Sequence, residues 1–361
     1  MSSPEVAVPA GAGSLKSLES LAGARFGTVG SSEAVLDFGD IGAEAAALAE
    51  AAGLVDLSYV DRIELSGKDC QRLLHGLVSC EVKALVPGQG AFGFFTGPQG
   101  KVLSPVRVLV LPDRLWLELA PGLGSAIAQH LAKYILTEDV AVQPLSDRLP
   151  IALLGPGAGK ALAGLGELPA AAWAHRAAKL AGSEVRLVRS ELLGAPGWTI
   201  WLHPGEAGEL WQHLRSLPGV APVGWLALER ARARAGIPAF GQDYGSDHFP
   251  QETGLEPLAV SYTKGCYLGQ EVIARIHYRG KANRAACRLR FDSLEGPPAG
   301  ARLLCGGEEV GSVGSTAPGR GSEPAVGIAV LHRKGNEPGT ILEIEGGGSA
   351  EVAELPPISL G

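Results

Sequence analysis

The sequence predicts an α+β protein that ends in a separate small β-barrel, and three observations carry this. Between Ala91 and Ala120 the strand-like runs AFGFFT, KVLSPVRVLVL and RLWLELA are separated by Gly-Pro and Pro-Asp turn signals and feed a helical stretch, GSAIAQHLAKYIL. From about Leu149 the pattern restarts as strand RLPIALLG, helix GAGKALAGL, strands EVRLVRS and GWTIWLHP and helix EAGELWQHLRSL, an approximate split βαβ arrangement with an antiparallel sheet. From about Ala285 onward, Gly-punctuated short strands such as CRLRFD, AVGIAVL and TILEIEG indicate the barrel.

Residues 1 to about 30 are rich in Ser, Gly, Ala and Pro with little periodicity and read as a flexible arm. IGAEAAALAEAA (41–52) is built of strong helix formers ended by Gly53, and LVDLSYVDRIEL alternates like a strand. KDCQRLLHGLVSC, which Ser66 can cap, puts Leu73, Leu74, Leu77 and Val78 on one helical face. VAVQPL closes this half as a strand, with a boundary near Ser146–Pro150. A further helix, Trp225–Ala235, carries Arg230, Arg232 and Arg234 and is stopped by Gly236 and Pro238. A long irregular segment follows.

The 361 residues suffice for two to three domains, and a hydrophobic share of 46% against 19% charged excludes disorder over most of the length. The 51 Gly and 25 Pro imply many turns. A net charge of −7 disfavours general binding to nucleic acid or anionic lipid. No apolar run reaches the roughly 20 residues of a membrane helix, and the start lacks a secretory pattern, so a cytoplasmic protein is expected. Cys70, Cys80, Cys266, Cys287 and Cys305 contain no C-x-x-C pair, which argues for reduced thiols and against a metal site. GPGAGKAL fails as a phosphate loop, because Leu154 stands where Gly is required and Ala161 where a hydroxyl must ligate magnesium. His75, His130, His175 and His213 each lie alone on predicted helices, and no G-x-S-x-G or G-x-G-x-x-G motif supports a hydrolase or dehydrogenase.

The densest chemistry lies in residues 264–291. From Val272 to Arg290 the chain carries Arg275, Arg279, Lys281, Arg284, Arg288 and Arg290 and no acid, a local positive field. Lys264-Gly265-Cys266-Tyr267 combines a turn, a thiol and an adjacent cation able to lower the thiol pKa. Gly265 and Gly269 permit close backbone approach, and Gln270 and Glu271 offer an amide and a carboxylate of the kind that read a heterocycle's edge. Composition alone is equally compatible with a turn before a solvated strand whose positive face points outward.

KGCYLGQE, with the following VIARIHYRG, resembles the hallmark K-G-C-Y-x-G-Q-E segment of the YgfZ-type folate-binding proteins, relatives of the aminomethyltransferase (T-protein) of the glycine cleavage system. The resemblance extends through GLVDLSYVDRIELSGKDCQRLLHGLVS, PGQGAFGFFTGPQGKVL, RARAGIPAFGQD and FPQETGLEPLAVSYTKGCY, and so covers about residues 50–335. It implies two intertwined ferredoxin-like α+β units in residues 31–285, the second at about 147–221, and a β-barrel in 286–361, set as a cloverleaf around a central channel that takes tetrahydrofolate or a one-carbon derivative. It also implies a role in iron–sulfur cluster assembly or repair and in maturation of iron–sulfur enzymes, including one that modifies transfer RNA. The implied partners are folate and iron–sulfur assembly proteins or client enzymes, with neither direct nucleic-acid nor membrane binding.

On that resemblance Cys266 is the functional thiol, Lys264 tunes its thiolate fraction, and Arg275 and Arg279 attract the folate's glutamate carboxylates or an acidic partner, beside Gly265, Tyr267, Gly269, Gln270 and Glu271 as folate-binding positions. Two departures stand out. In the aminomethyltransferase branch an Asp aligned with the end of GKVLSP helps activate the folate, whereas here Ser104 and Pro105 supply no carboxylate. The acid that holds the pterin ring in many relatives aligns with Arg234, with Glu229 more than one turn earlier. The expected function is therefore a non-catalytic or weakly catalytic accessory protein. The rival readings are a folate-dependent aminomethyl transferase with a non-standard acid/base and a scaffold that docks partners through the basic segment. Trp198 and Trp225 fall near the channel but are expected mainly as core residues.

Overall fold

A computed structural model describes residues 14–190, 197–280 and 282–358. Three larger sheets organise them, beside a two-stranded ribbon of Arg25–Val29 with Ser32–Asp37. In the first, five antiparallel strands run in the order Gly90–Thr96, Val102–Val110, Arg114–Leu119, Asp61–Ser66, Ala141–Pro144. Helices Cys70–His75 and Gly124–Ala132 cover one face, where Leu74, Ile127 and Leu131 pack on Ile63, Leu65, Val106, Val108 and Leu117. Strand alternation then turns the other set of side chains, Phe92 and Arg107 among them, toward the rest of the molecule.

The second sheet has six strands in the order His175–Leu180, Ser183–Ser190, Gly197–Leu202, Leu149–Leu154, Ala52–Asp56, Val220–Val223, of which only the last pair is parallel. Ala52–Asp56 enters it from the first half of the chain, so the halves interleave. Helices Leu15–Leu21 and Ala207–Arg215 pack one face through Leu18, Leu210, Trp211 and Leu214. Helices Ile41–Glu50 and Trp225–Ala235 pack the other through Leu48, Ala227 and Leu228 against Val55, Ala152 and Val223. The two sheets meet where Trp116 stacks on Trp201, ring centroids 5.7 Å apart.

The C-terminal region is a curled antiparallel sheet of seven strands, Glu308–Ser312, Arg302–Cys305, Ile341–Ile344, Ser349–Ala353, Arg284–Phe291, Val326–His332 and Thr316–Ala317 in spatial order. It folds back on itself: Gly314 N–H donates to Ile328 C=O at 2.9 Å, and a Cβ on Gly311 would lie 2.8 Å from the Val330 carbonyl.

Several sequence expectations need correction. Residues 15–29 form a helix and a strand instead of a loose arm, because Leu18 has a core to enter; residues 1–13 lie outside the described residues. LVDLSYVDRIEL is two strands broken by an Asx turn, in which Asp56 accepts from Ser58 N–H and Oγ–H at 2.8 Å each. Helix Ile41–Glu50 stops before Gly53, which lies in a strand where Leu48 leaves no room for a Cβ. Ser66 ends a strand and caps nothing; the next helix starts after Asp69. His175 opens a strand. The basic segment after Gly269 is a helix, Gln270–Arg279, with Ile273 buried.

Candidate functional site

A cavity of about 230 Å³ lies where the first sheet, helix Trp225–Ala235 and the segment 237–244 converge. Each wall follows from local structure. The Asx turn after Ala52–Asp56 presents Leu57, Tyr59 and Val60; strands Val102–Val110 and Arg114–Leu119 present Pro105, Arg107 and Glu118; the helix presents Trp225, Leu228, Glu229 and Arg232, one face at helical spacing. Phe92, Trp173, Phe240 and Tyr244 add aromatic surface.

Two charge systems border this apolar space. Arg107 and Glu118 face each other across neighbouring strands and form an ion pair, and the Arg107 guanidinium lies 5.9 Å over the Trp173 ring. Trp173 stacks on Phe92 at 6.0 Å and sits at φ 60°, a left-handed conformation costly for a bulky residue, in a loop given room by the bare Gly90 backbone. In the second system Arg232, 6% exposed, donates from Nε and Nη2 to Glu229 Oε2 at 3.0 and 2.7 Å and from Nη1 to Asp243 Oδ2 at 2.8 Å. It also donates to Ile237 C=O and Ser315 Oγ. Burial works against its charge, but Glu229 and Asp243 outweigh burial and hold its pKa above the ordinary value. Asp243 in turn accepts from Ala239 N–H at 2.8 Å and from Ser315 N–H and Oγ–H at 2.7 Å each.

Glu229 is therefore oriented through one oxygen. Its Oε1 has no hydrogen-bond partner among the described residues and remains an open acceptor in the cavity wall. Tyr59 is buried beside it, and burial, then the charges of Glu229 and Glu118, push the phenol pKa up, so the hydroxyl keeps its proton. Pro105 lines the cavity, while Ser104 is buried and donates to the Pro105 carbonyl at 2.7 Å. That strand offers no acid; the neighbouring strand offers Glu118.

The residues singled out from the sequence lie elsewhere. None of Lys264, Gly265, Cys266, Tyr267, Gly269, Gln270, Glu271, Arg275 and Arg279 lines the cavity. They form a shoulder against the end of helix Cys70–His75 and the turn Gly97–Gly100. Lys264 is 7% exposed and its Nζ donates to the carbonyls of His75, Val78 and Cys80 at 2.6, 2.6 and 2.8 Å, with Tyr267 4.9 Å below as a cation–π partner. Burial pulls its pKa down to about 8, but all three ammonium protons are satisfied. Its charge is spent on the 75–80 backbone. Gly269, at φ 81°, is required because a Cβ would meet Gly97 C=O at 2.4 Å. Gln270 Oε1 accepts from Tyr267 N–H at 3.3 Å, and Glu271 pairs with Arg275 at 3.0 Å on the exposed helix face, with Arg279 exposed at its end. Cys266 is exposed; Cys70, Cys80 and Cys287 are buried. Among the described residues no three His, Cys, Asp or Glu side chains come together as metal ligands, and no helix is long and apolar enough to cross a membrane.

Arg234, aligned by resemblance with the pterin-holding acid, turns away from the cavity toward Pro318 C=O and Glu323. The acid in the cavity wall is Glu229. Sequence reasoning also missed Tyr59, Arg107, Glu118 and Trp173. For Arg107 and Glu118 a signal exists: single charges interrupting the apolar strands VLSPVRVLV and RLWLEL. Trp225 lines the cavity, whereas Trp198 is a core residue whose Nε1–H donates to Pro169 C=O at 3.1 Å.

The profile of the GCVT N-terminal domain matches residues 15–264, spanning every element that builds the cavity up to Lys264. The chain belongs to the GCVT family. Among GCVT-type relatives, the aminomethyltransferase of Saccharopolyspora erythraea is 28% identical over 326 residues, 87% of this chain and 89% of that one. That of Bacillus subtilis is 27% identical over 326 residues, 87% and 88% of the two chains. The crystal structure of the glycine cleavage system aminomethyltransferase T from Bartonella henselae superposes with a TM-score of 0.86 at 23% identity, covering 96% of this chain and 97% of that one, which extends the shared GCVT fold through the curled C-terminal sheet.

Proposed function

We propose that this GCVT-family chain binds tetrahydrofolate or a one-carbon derivative in the cavity and works as a YgfZ-type accessory protein in cytoplasmic iron–sulfur cluster assembly or repair, including maturation of enzymes that modify transfer RNA. The observation that carries the folate half is Glu229: a carboxylate fixed by Arg232 through one oxygen, with the other open in an aromatic-walled cavity. The donor set fits a pterin. A carboxylate accepts from the ring's amino and N–H groups, and Tyr59, Phe92, Trp173 and Trp225 supply flat surface for it. Bound tetrahydrofolate would supply the carrier of a one-carbon unit. The strand orders of the first two sheets, with helices as crossovers, support reading the halves as ferredoxin-like units around this channel.

The accessory role draws its support from the KGCYLGQE segment and the exposed Cys266 within it, together with Ser104 and Pro105 where the resemblance places the transferase branch's acid. Tetrahydrofolate should quench the fluorescence of Trp173 and Trp225 saturably, and Cys266→Ala should lower activation of an iron–sulfur client while leaving that quench intact. Full client activation by Cys266→Ala would remove the thiol from the account. One observation favours a second reading, aminomethyl transfer: Glu118 is a second carboxylate in the cavity wall. Its carboxylate is engaged by the Arg107 guanidinium across the strand pair. Tetrahydrofolate-dependent turnover of an aminomethyl donor that disappears in Glu118→Gln would establish the transferase instead.

A further inference from the structure

Helix Trp225–Ala235 has a second occupied face. Residues 225, 228, 229 and 232 meet the folate cavity, and about half a turn away Arg230, Ala231 and Arg234 line a groove of about 280 Å³, closed by helix Ile41–Glu50 and the segment Ala317–Arg320. Its floor is small: Gly42, Ala45 and Ala231 put little side chain into it. Its walls carry three guanidinium groups, Arg230, Arg234 and Arg320, against one carboxylate, Glu50.

This arrangement is not neutralised from within. Arg234 has one carboxylate partner among the described residues, Glu323 at 3.6 Å, itself 72% exposed. Arg230 and Arg320 make no side-chain hydrogen bond or ion pair among the described residues. Burial first, then the nearby charge of Arg320, press the Arg234 pKa downward, against the opposing pull of Glu323. In a chain of net charge −7, where Arg25, Arg114, Arg232, Arg284 and Arg302 all hold carboxylates, such a concave positive spot is a local cost that an anion would relieve.

We propose that the groove binds a small phosphate-bearing molecule, its terminal oxygens held by Arg230, Arg234 and Arg320. Three planar forks around one recess suit a dianion with three terminal oxygens, whereas a carboxylate can engage one fork bidentately. Concavity and the small-residue floor favour a compact ligand over a protein surface.

The test is calorimetric titration of the full chain with inorganic phosphate, pyrophosphate and citrate at fixed ionic strength, on wild type, Arg230→Gln/Arg320→Gln and Ala46→Glu. Saturable binding of phosphate, tighter for pyrophosphate and at least roughly tenfold weaker in both variants, is the expected result. Tetrahydrofolate binding should be unchanged in both. Neither replaced guanidinium has a hydrogen-bond or ion-pair partner among the described residues, so the double variant should melt no lower than wild type in phosphate-free buffer, and Ala46→Glu introduces a competing carboxylate by an independent route. Absence of saturable binding, wild-type affinity in both variants, or citrate binding as tightly as pyrophosphate would overturn the proposal.

Discussion

Arg232 and Lys264 are buried to nearly the same degree, 6% and 7% exposed, yet one borders a cavity and the other braces a stretch of backbone. Arg232 meets two carboxylates, and fixing Glu229 by one oxygen leaves the second facing the cavity. Lys264 meets three backbone carbonyls and has nothing left to offer. A buried cation becomes functional when its partners keep unsatisfied valence in a cavity, and structural when every partner is used up. On the proposed function, the segment with the denser sequence motif is the structural one, apart from its exposed thiol.

Four changes sharpen that contrast. Arg232→Met leaves the buried Asp243 and the half-buried Glu229 without their cation and should destabilise the fold by about 3–5 kcal/mol in urea unfolding at neutral pH. A loss under about 1 kcal/mol would mean the network is not what ties the helix to segment 237–244. Lys264→Met leaves three carbonyls without a donor and should cost about 3 kcal/mol, with tetrahydrofolate affinity of the folded protein unchanged.

The third change is in pH. His175 accepts from Arg186 Nη1 at 2.9 Å and bonds Gln89 C=O at 3.1 Å through its other nitrogen, so it sits neutral between the first two sheets. Burial, then the Arg186 charge, hold its pKa down to about 4. The unfolded chain takes up this proton near the ordinary value of 6.5. The stability contribution is therefore complete above pH 6.5 and is lost as pH falls toward 4, about 3 kcal/mol in all. His175→Gln should flatten that part of the stability profile; an unchanged acid limb would show that other groups control it. Smallest of all, Cys266→Ala should alter stability by less than about 0.5 kcal/mol, since the side chain is exposed.

Much of this architecture is legible in the sequence. Helix Trp225–Ala235 ends where expected because Gly236 takes φ 73° and Pro238 follows. What the one-dimensional reading cannot resolve is the direction of Arg230, Arg232 and Arg234. Alternate residues on a helix point to opposite sides, and only the later arrival of Asp243 makes Arg232 the inward one. Helix Gln270–Arg279 is obscured by Val272, Ile273 and Ile276, whose branched side chains suit a strand equally well; tertiary burial of Ile273 decides the matter. Trp173 leaves no local trace, because its importance lies in a left-handed backbone and a stack on Phe92, far away in sequence.

The most direct measurement is a calorimetric titration of tetrahydrofolate into wild type, Glu229→Gln and Lys264→Met under anaerobic conditions. Removing the open carboxylate charge should weaken binding by roughly 30-fold, about 2 kcal/mol, while Lys264→Met binds as wild type. Full affinity in Glu229→Gln with loss in Lys264→Met would contradict the account and move the folate to the KGCY shoulder.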